Sequence, residues 1–214
     1  MEEEKRPSLR LSAREMSLVA LFAALSGIGG FIRLPIPYIP LTLQPLIVMF
    51  SGLLLGGRLG ALSQLVYLLV GLLGIPIFAQ GGGPGYVLQP TFGYLVGFVL
   101  GAYVIGRLTE GREHLHRGML CVVILLGIVA IYIPGVTVLY LNLLFIQQKA
   151  VTLSTAIKVG ALVPLPGDLV KLAVVLVLGP PIRERFRRMA VVPEGSLHGK
   201  FAPSGSPPSA PGGG

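Results

Sequence analysis

Pro164-Leu165-Pro166-Gly167-Asp168-Leu169-Val170-Lys171 opens the last long apolar run of the chain, which continues as Leu172-Ala173-Val174-Val175-Leu176-Val177-Leu178. A run this apolar reads as a membrane helix, and a carboxylate and an ammonium stand at its mouth. Three residues apart, Asp168 and Lys171 share one helical face. No other acid lies between Glu113 and Glu184. Ionisable groups inside a membrane segment are costly, and they mark ligand or ion sites. Ionised, Asp168 accepts hydrogen bonds and Lys171 donates them. Together they suit a ligand with paired N–H groups beside a carbonyl, such as a ureido ring. The plainer alternative is an ion pair that only satisfies itself at a helix end.

The rest of the composition agrees with a membrane setting. Of the 214 residues, 53% are hydrophobic and only 12% are charged, against about 25% charged in soluble domains. Mean hydropathy is +0.80. That length holds about six spans of roughly 20 residues in one domain. The net charge of +8 does not point to nucleic acid, because the basic residues flank the apolar runs. The single cysteine, Cys121, lies within an apolar run and reads as a structural thiol. The first apolar run is followed by Arg33 and prolines rather than by a small-residue cleavage site, so we expect it to be retained.

The expected architecture is an all-α integral membrane protein with six transmembrane helices. The spans read as Met16–Ile32, Pro45–Leu55, Leu59–Leu73, Thr91–Ile105, Gly118–Ile133 and Gly167–Leu178, the last continuing from Leu162. The domain reading is a charged N-terminal segment over residues 1–15, a six-helix unit over 16–188 and a disordered Pro/Gly-rich tail over 189–214. Arg33 to Gln44 is a proline-rich connector and therefore extended. Gly56-Gly57-Arg58 is a tight turn. Gly118–Ile133 is expected to end near Pro134-Gly135, and Val136 to Pro166 is too polar and interrupted to be a simple span.

With both termini on one side, that side holds thirteen of the Lys and Arg residues and the other holds four, namely Arg33, Lys149, Lys158 and Lys171. The positive-inside rule then places both termini in the cytoplasm and the long connectors outside. Long ordered connectors carry function, so the binding site is expected to face outward.

Those connectors supply the other candidates. Thr42 and Gln44 end the first one; a carboxamide can donate and accept toward an uncharged polar head group, or simply cap the next helix. The run Gly81-Gly82-Gly83-Pro84-Gly85 lacks the Lys-Ser/Thr of a phosphate loop. It reads as close backbone approach to a ligand, at Gly82, or as a hinge. Tyr86, Tyr94, Tyr132 and Tyr140 map near the outer ends of spans, where aromatic residues also serve as interfacial anchors. In the first span Ala20 and Ala24 form a small-xxx-small pair, suited to a helix partner or to internal packing. The three histidines, His114, His116 and His198, are scattered and make no metal site. There is no Walker motif and no catalytic triad.

Taken in order, several segments resemble the BioY family, the biotin-specific S-components of energy-coupling factor (ECF) transporters. They are Pro37-Tyr38-Ile39-Pro40-Leu41-Thr42-Leu43-Gln44, Gly52 to Gly60, Tyr67 to Ala79, Pro90-Thr91-Phe92-Gly93-Tyr94-Leu95 and Gly167-Asp168-Leu169-Val170-Lys171. The resemblance runs from about Met16 to Arg183. It implies a six-helix S-component in a prokaryotic plasma membrane that captures biotin from outside, with its outer loops as a lid. It implies that Asp168 and Lys171 are the family's ligand-binding pair and that Gln80 is the polar residue after the Phe-Ala segment. Ala20 and Ala24 then face a transmembrane coupling subunit. No cofactor is expected, since ABC-type ATPase subunits would hydrolyse ATP. Gln89 and Phe92 stand where glycine is expected of the family.

Two other classes compete. An intramembrane enzyme would need a nucleophile or metal constellation, and the sequence offers none. An S-component for a larger aromatic vitamin, such as thiamin or riboflavin, would favour tryptophan or dense aromatics in the outer loops. This chain has no Trp and is 7% aromatic.

The orientation can be checked directly. With Cys121 replaced, single cysteines at Ser8 and Ser204 should both be protected from an impermeant thiol reagent on intact cells. Labelling of either would overturn the assignment.

Overall fold

Ser12 and Glu15 begin the first helix with a reciprocal cap. The Glu15 amide donates to Ser12 Oγ at 3.2 Å, and the Ser12 amide donates to the Glu15 carboxylate at 2.8 Å. This box satisfies donors that a helix start leaves unpaired, so α1 spans Ala13–Phe31 and starts earlier than its apolar run suggests. The computed structural model describes residues 11–35, 38–112 and 115–191. The expectations for residues 1–10, for Pro37, for His114 and for the disordered tail beyond Val191 lie outside the described residues.

The proline-rich connector is extended. Its ends pair as a short antiparallel ladder, β1 (Arg33–Leu34) with β2 (Leu41–Thr42). The chain then enters α2, Gln44–Leu72, with Pro45 in the first turn, where its missing N–H costs nothing.

α2 is not straight. Gly56 sits at φ 82° and ψ 178°, outside the helical region and in a conformation that glycine adopts without a Cβ penalty. The two arms fold back on each other: Gln64 Nε2 lies 3.4 Å from Ser51 Oγ, and Gln44 Nε2 lies 2.5 Å from Tyr67 Oη. In a straight helix, residues 44 and 67 would be about 34 Å apart. The turn is held by Glu110, whose carboxylate accepts the Gly57 amide at 2.6 Å and pairs with Arg107 at 2.8 Å.

Six spans were expected, and among the described residues five helical elements are long and apolar enough to cross a membrane. The difference lies in α2, which contains both the second and the third expected runs. At 1.5 Å per residue the arms measure about 18 and 24 Å, each short of the roughly 30 Å hydrocarbon core.

Connector residues Pro84–Leu88 form a 3₁₀ turn. α3 spans Phe92–Thr109, and α4 spans Arg117–Leu141 before a π-helical turn at Asn142–Ile146. The expected stop at Pro134 does not occur. A proline removes one ladder bond, and apolar surroundings offer the backbone nothing better, so the helix continues. The polar stretch that follows holds α5 (Leu153–Ile157) and a second π-helical turn, Lys158–Leu162. α6 spans Leu165–Val191.

α3 lies at the centre, between the α2 hairpin and α4. Aliphatic residues including Met49, Leu53, Ile105, Ile124 and Val175 fill the end near the Gly56 turn. An aromatic cluster including Tyr67, Phe78, Tyr86, Tyr94 and Phe98 fills the opposite end. At the basic end, Arg183 donates to the carbonyls of Thr109 at 2.6 Å and Arg112 at 3.1 Å, capping α3 and tying α6 to it.

Glycine sets the closeness of hairpin and α3. A Cβ on Gly106 would lie 2.1 Å from the Gly57 nitrogen. Gly106→Ala should therefore destabilise the protein by at least about 1–3 kcal/mol, the usual overpacking cost. This should appear as a lower melting temperature in detergent. An unchanged melt would mean that the two backbones do not touch.

Candidate functional site

α2, α3 and α6 all begin at the end opposite the Gly56 turn, and the long connectors close over that end. Between them lies a cavity that, counted with its open mouth, encloses about 550 Å³. Its walls are mostly apolar: Ile39, Pro40 and Leu41 from the first connector, Ala79 from the second, which joins α2 to α3 over residues 73–91, Leu95 and Phe98 from α3, and Ile131 from α4.

Its polar end is built on α6. Asp168 lies in the first turn, where the helix dipole favours a negative charge. It is 3% exposed, and Lys171 is 8% exposed. Asp168 Oδ1 accepts from Lys171 Nζ at 2.6 Å, and Oδ2 accepts from Tyr132 Oη at 2.6 Å. Each oxygen thus has one donor within the protein. A carboxylate offers about four acceptor sites, so both oxygens retain capacity for ligand N–H groups. A buried ion pair of this kind is poor evidence for stability, because desolvation offsets the attraction. A binding role accounts for it better.

Tyr94 supports the same wall without facing the ion pair directly. Its hydroxyl donates to the Gly160 carbonyl at 2.6 Å, and its ring meets Tyr132 edge-on at 6.3 Å. In the second connector Tyr86 is buried, and its hydroxyl bonds Thr91 Oγ1 at 3.0 Å. Burial pushes the Tyr86 phenol up from its ordinary value, so it stays protonated.

Six of the eight expected ligand residues line this cavity: Thr42, Gln44, Tyr86, Tyr132, Asp168 and Lys171. Gln80 and Gly82 do not. Phe78 and Gly81 form an isolated bridge, and Gly81 at φ 120° turns the chain so that Gln80 is exposed. Gly82 packs on backbone instead, where a Cβ would lie 2.4 Å from the Ile75 carbonyl oxygen. Gln44 is more committed than its residue type suggests. Its Nε2 donates to the Ser26 carbonyl at 3.2 Å and to Tyr67 Oη, while Thr42 Oγ1 donates to its Oε1 at 3.2 Å. Both amide hydrogens are spent inside the protein.

Several lining residues went unassigned in the sequence. Thr91, Leu95 and Phe98 follow one another at helical spacing on one face of α3, and that spacing was the available signal. Pro164 and Ile131 gave none. Ala20 and Ala24 lie on the exposed face of α1, opposite buried Val19, Ala23 and Ser26. Among the described residues no group of three or more His, Cys, Asp or Glu side chains could hold a metal ion.

With this geometry in view, the comparison with known proteins is decisive about kinship. A profile described as the BioY family matches residues 2–188. The chain belongs to the BioY family. Among BioY relatives, "Probable biotin transporter BioY" of Lysinibacillus sphaericus is 48% identical over 132 residues, covering 62% of this chain and 67% of that one. "Biotin transporter BioY" of Thermotoga maritima is 38% identical over 162 residues, covering 75% of this chain and 90% of that one. The fold also matches a crystal structure described as the S-component for biotin from an ECF-type ABC transporter. The TM-score is 0.71 at 24% identity, over 82% of this chain and 95% of that one. This BioY member therefore has the S-component fold and is a multi-pass membrane protein.

Proposed function

We propose that this protein captures biotin as the substrate-specific subunit of an ECF-type transporter. One observation carries the reading: a buried carboxylate, oriented at both oxygens, ends an otherwise apolar cavity. Biotin presents a ureido ring with two N–H donors and one carbonyl, on a frame whose other faces are apolar. Asp168 accepts a ureido N–H. Tyr132 and Lys171 hold the carboxylate, and Lys171 turns one of its remaining donors to the ureido carbonyl. Leu95, Phe98 and Ile131 cover the apolar frame. The names of the relatives support the same ligand.

Binding is the whole of this chain's chemistry in this reading. It has no cofactor and is not an enzyme; separate ABC-type ATPase subunits hydrolyse ATP. A transmembrane coupling subunit seats against Ala20 and Ala24, which lie one turn apart on the outer face of α1. The α2 arms count as two passes, shortened because Gly56 and the connectors sit within the membrane margins, which gives six crossings. Both termini then lie in the cytoplasm of a prokaryotic cell, with the cavity facing outward.

Asp168→Asn should weaken biotin binding by about 10- to 100-fold. That range follows from roughly 1.5–3 kcal/mol for a hydrogen bond to a charged group and about 1.4 kcal/mol per decade. Because the single change leaves Lys171 buried without its partner, the double variant Asp168→Asn with Lys171→Met belongs beside it. Calorimetry with matched thermal melts reads both. Unchanged affinity would remove Asp168 from the site, and wild type that binds no biotin would end the functional reading.

The partner face has its own test. Ala24→Trp should abolish co-purification with the coupling subunit while leaving biotin affinity unchanged. Normal stoichiometry in the variant would mean that α1 docks elsewhere or not at all.

A further inference from the structure

Tyr67 lies outside the cavity lining and has no part in the reading above, yet it is 1% exposed and bonded at both ends of its hydroxyl. It accepts from Gln44 Nε2 at 2.5 Å and donates to the Ile77 carbonyl at 3.3 Å. The direction of this chain is fixed by chemistry. The carbonyls of Ser26 and Ile77 can only accept. The Gln44 nitrogen must therefore face Ser26, and the Tyr67 proton must face Ile77. Gln44 Oε1 is left on the side of Thr42, which lines the cavity.

Four segments meet at this one amide: α1 through Ser26, β2 through Thr42, the second arm of α2 through Tyr67, and the second connector through Ile77. The space is tight. A Cβ on Gly30 would lie 3.1 Å from Gln44 Nε2 and 3.3 Å from the Ile77 oxygen. The Tyr67 ring also meets Phe78 edge-on at 5.4 Å, and Phe78 meets Tyr86 at 4.5 Å. Tyr67 thus fixes the amide on one side and braces the connector that carries Ala79 and Tyr86 on the other.

We infer that Tyr67 is a positioning residue for ligand specificity: it locks the Gln44 amide with its oxygen toward the cavity, so that this wall accepts a ligand N–H and offers none. The inference rests on the biotin reading, since a ureido ring carries two N–H groups, one for Asp168 and one for Gln44 Oε1. With the hydroxyl gone, the Ser26 carbonyl still takes one amide hydrogen, but the amide loses the second bond that seats it, and its oxygen is no longer held in place for the ligand N–H.

The test compares biotin with a biotin derivative methylated at one ureido nitrogen, by calorimetry on the purified full chain. Wild type should prefer biotin. Tyr67→Phe keeps the ring and should weaken biotin binding roughly 3- to 30-fold, within the range for one lost hydrogen bond. Its affinity for the methylated ligand should fall less than about twofold, so the preference narrows. Gln44→Leu should narrow the preference equally with Tyr67 intact, and the double variant should show no further loss, as expected of coupled residues. Gln44→Leu also serves if Tyr67→Phe does not fold. Equal weakening of both ligands, additive losses, or an unchanged preference in Gln44→Leu would overturn the inference while leaving biotin capture standing. Wild type that binds neither ligand would overturn the biotin reading and the inference with it.

Discussion

A polar group inside a bilayer has only protein to bond with, and leaving it unbonded costs several kcal/mol. In this chain that constraint is met without exception among the described residues: no buried side-chain nitrogen or oxygen lacks a partner. Several of the partners are distant in sequence. Gln64 takes a hydrogen bond from Ser26 of α1 and gives bonds to Ser63 and to Ser51 of the other α2 arm. Tyr94 on α3 reaches the π-helical turn at Gly160, and Asn142 reaches the Leu88 carbonyl of the second connector. The long-range bonds among these tie segments that apolar packing alone would let slide. Polar side chains therefore set the register of the bundle.

Small residues make those bonds reachable. Gly52 and Gly106 bring α3 against the α2 hairpin, while Gly97 and Gly101 bring it against α4. Close backbones allow short side chains such as Ser26 and Ser51 to bond across a helix interface. The aromatic end is the complement. There Tyr and Phe side chains surround a cavity, and the connectors contribute to its walls.

Much of this was legible beforehand. The apolar runs gave the helical segments, and Pro45, the Gly56 turn and the extended proline connector lie where backbone chemistry puts them. Asp168 stood out because no other acid lies between Glu113 and Glu184. The misses have physical causes. Pro134 was expected to stop a helix, as it does in water, but an apolar setting offers the backbone no alternative partner. Hydropathy does not report arm length in three dimensions, so it does not distinguish two short arms of one hairpin from two full spans. Gln80 and Gly82 lie off the cavity lining, where a positive-φ glycine at 81 helps decide which way the loop faces. Tyr67 was invisible as an actor because its importance lies in the direction of a hydrogen bond, and no residue type encodes that.

The ion pair at the head of α6 has an electrical consequence. Whichever of Asp168 and Lys171 holds the proton, the two together sum to zero. A lone charge moved through the membrane field would do work of about 2.3 kcal/mol per 100 mV. The pair does none, so this ion pair is by itself electrically silent. Any voltage sensitivity in carrying a ligand across would have to come from the cargo itself or from the protein's other charged side chains.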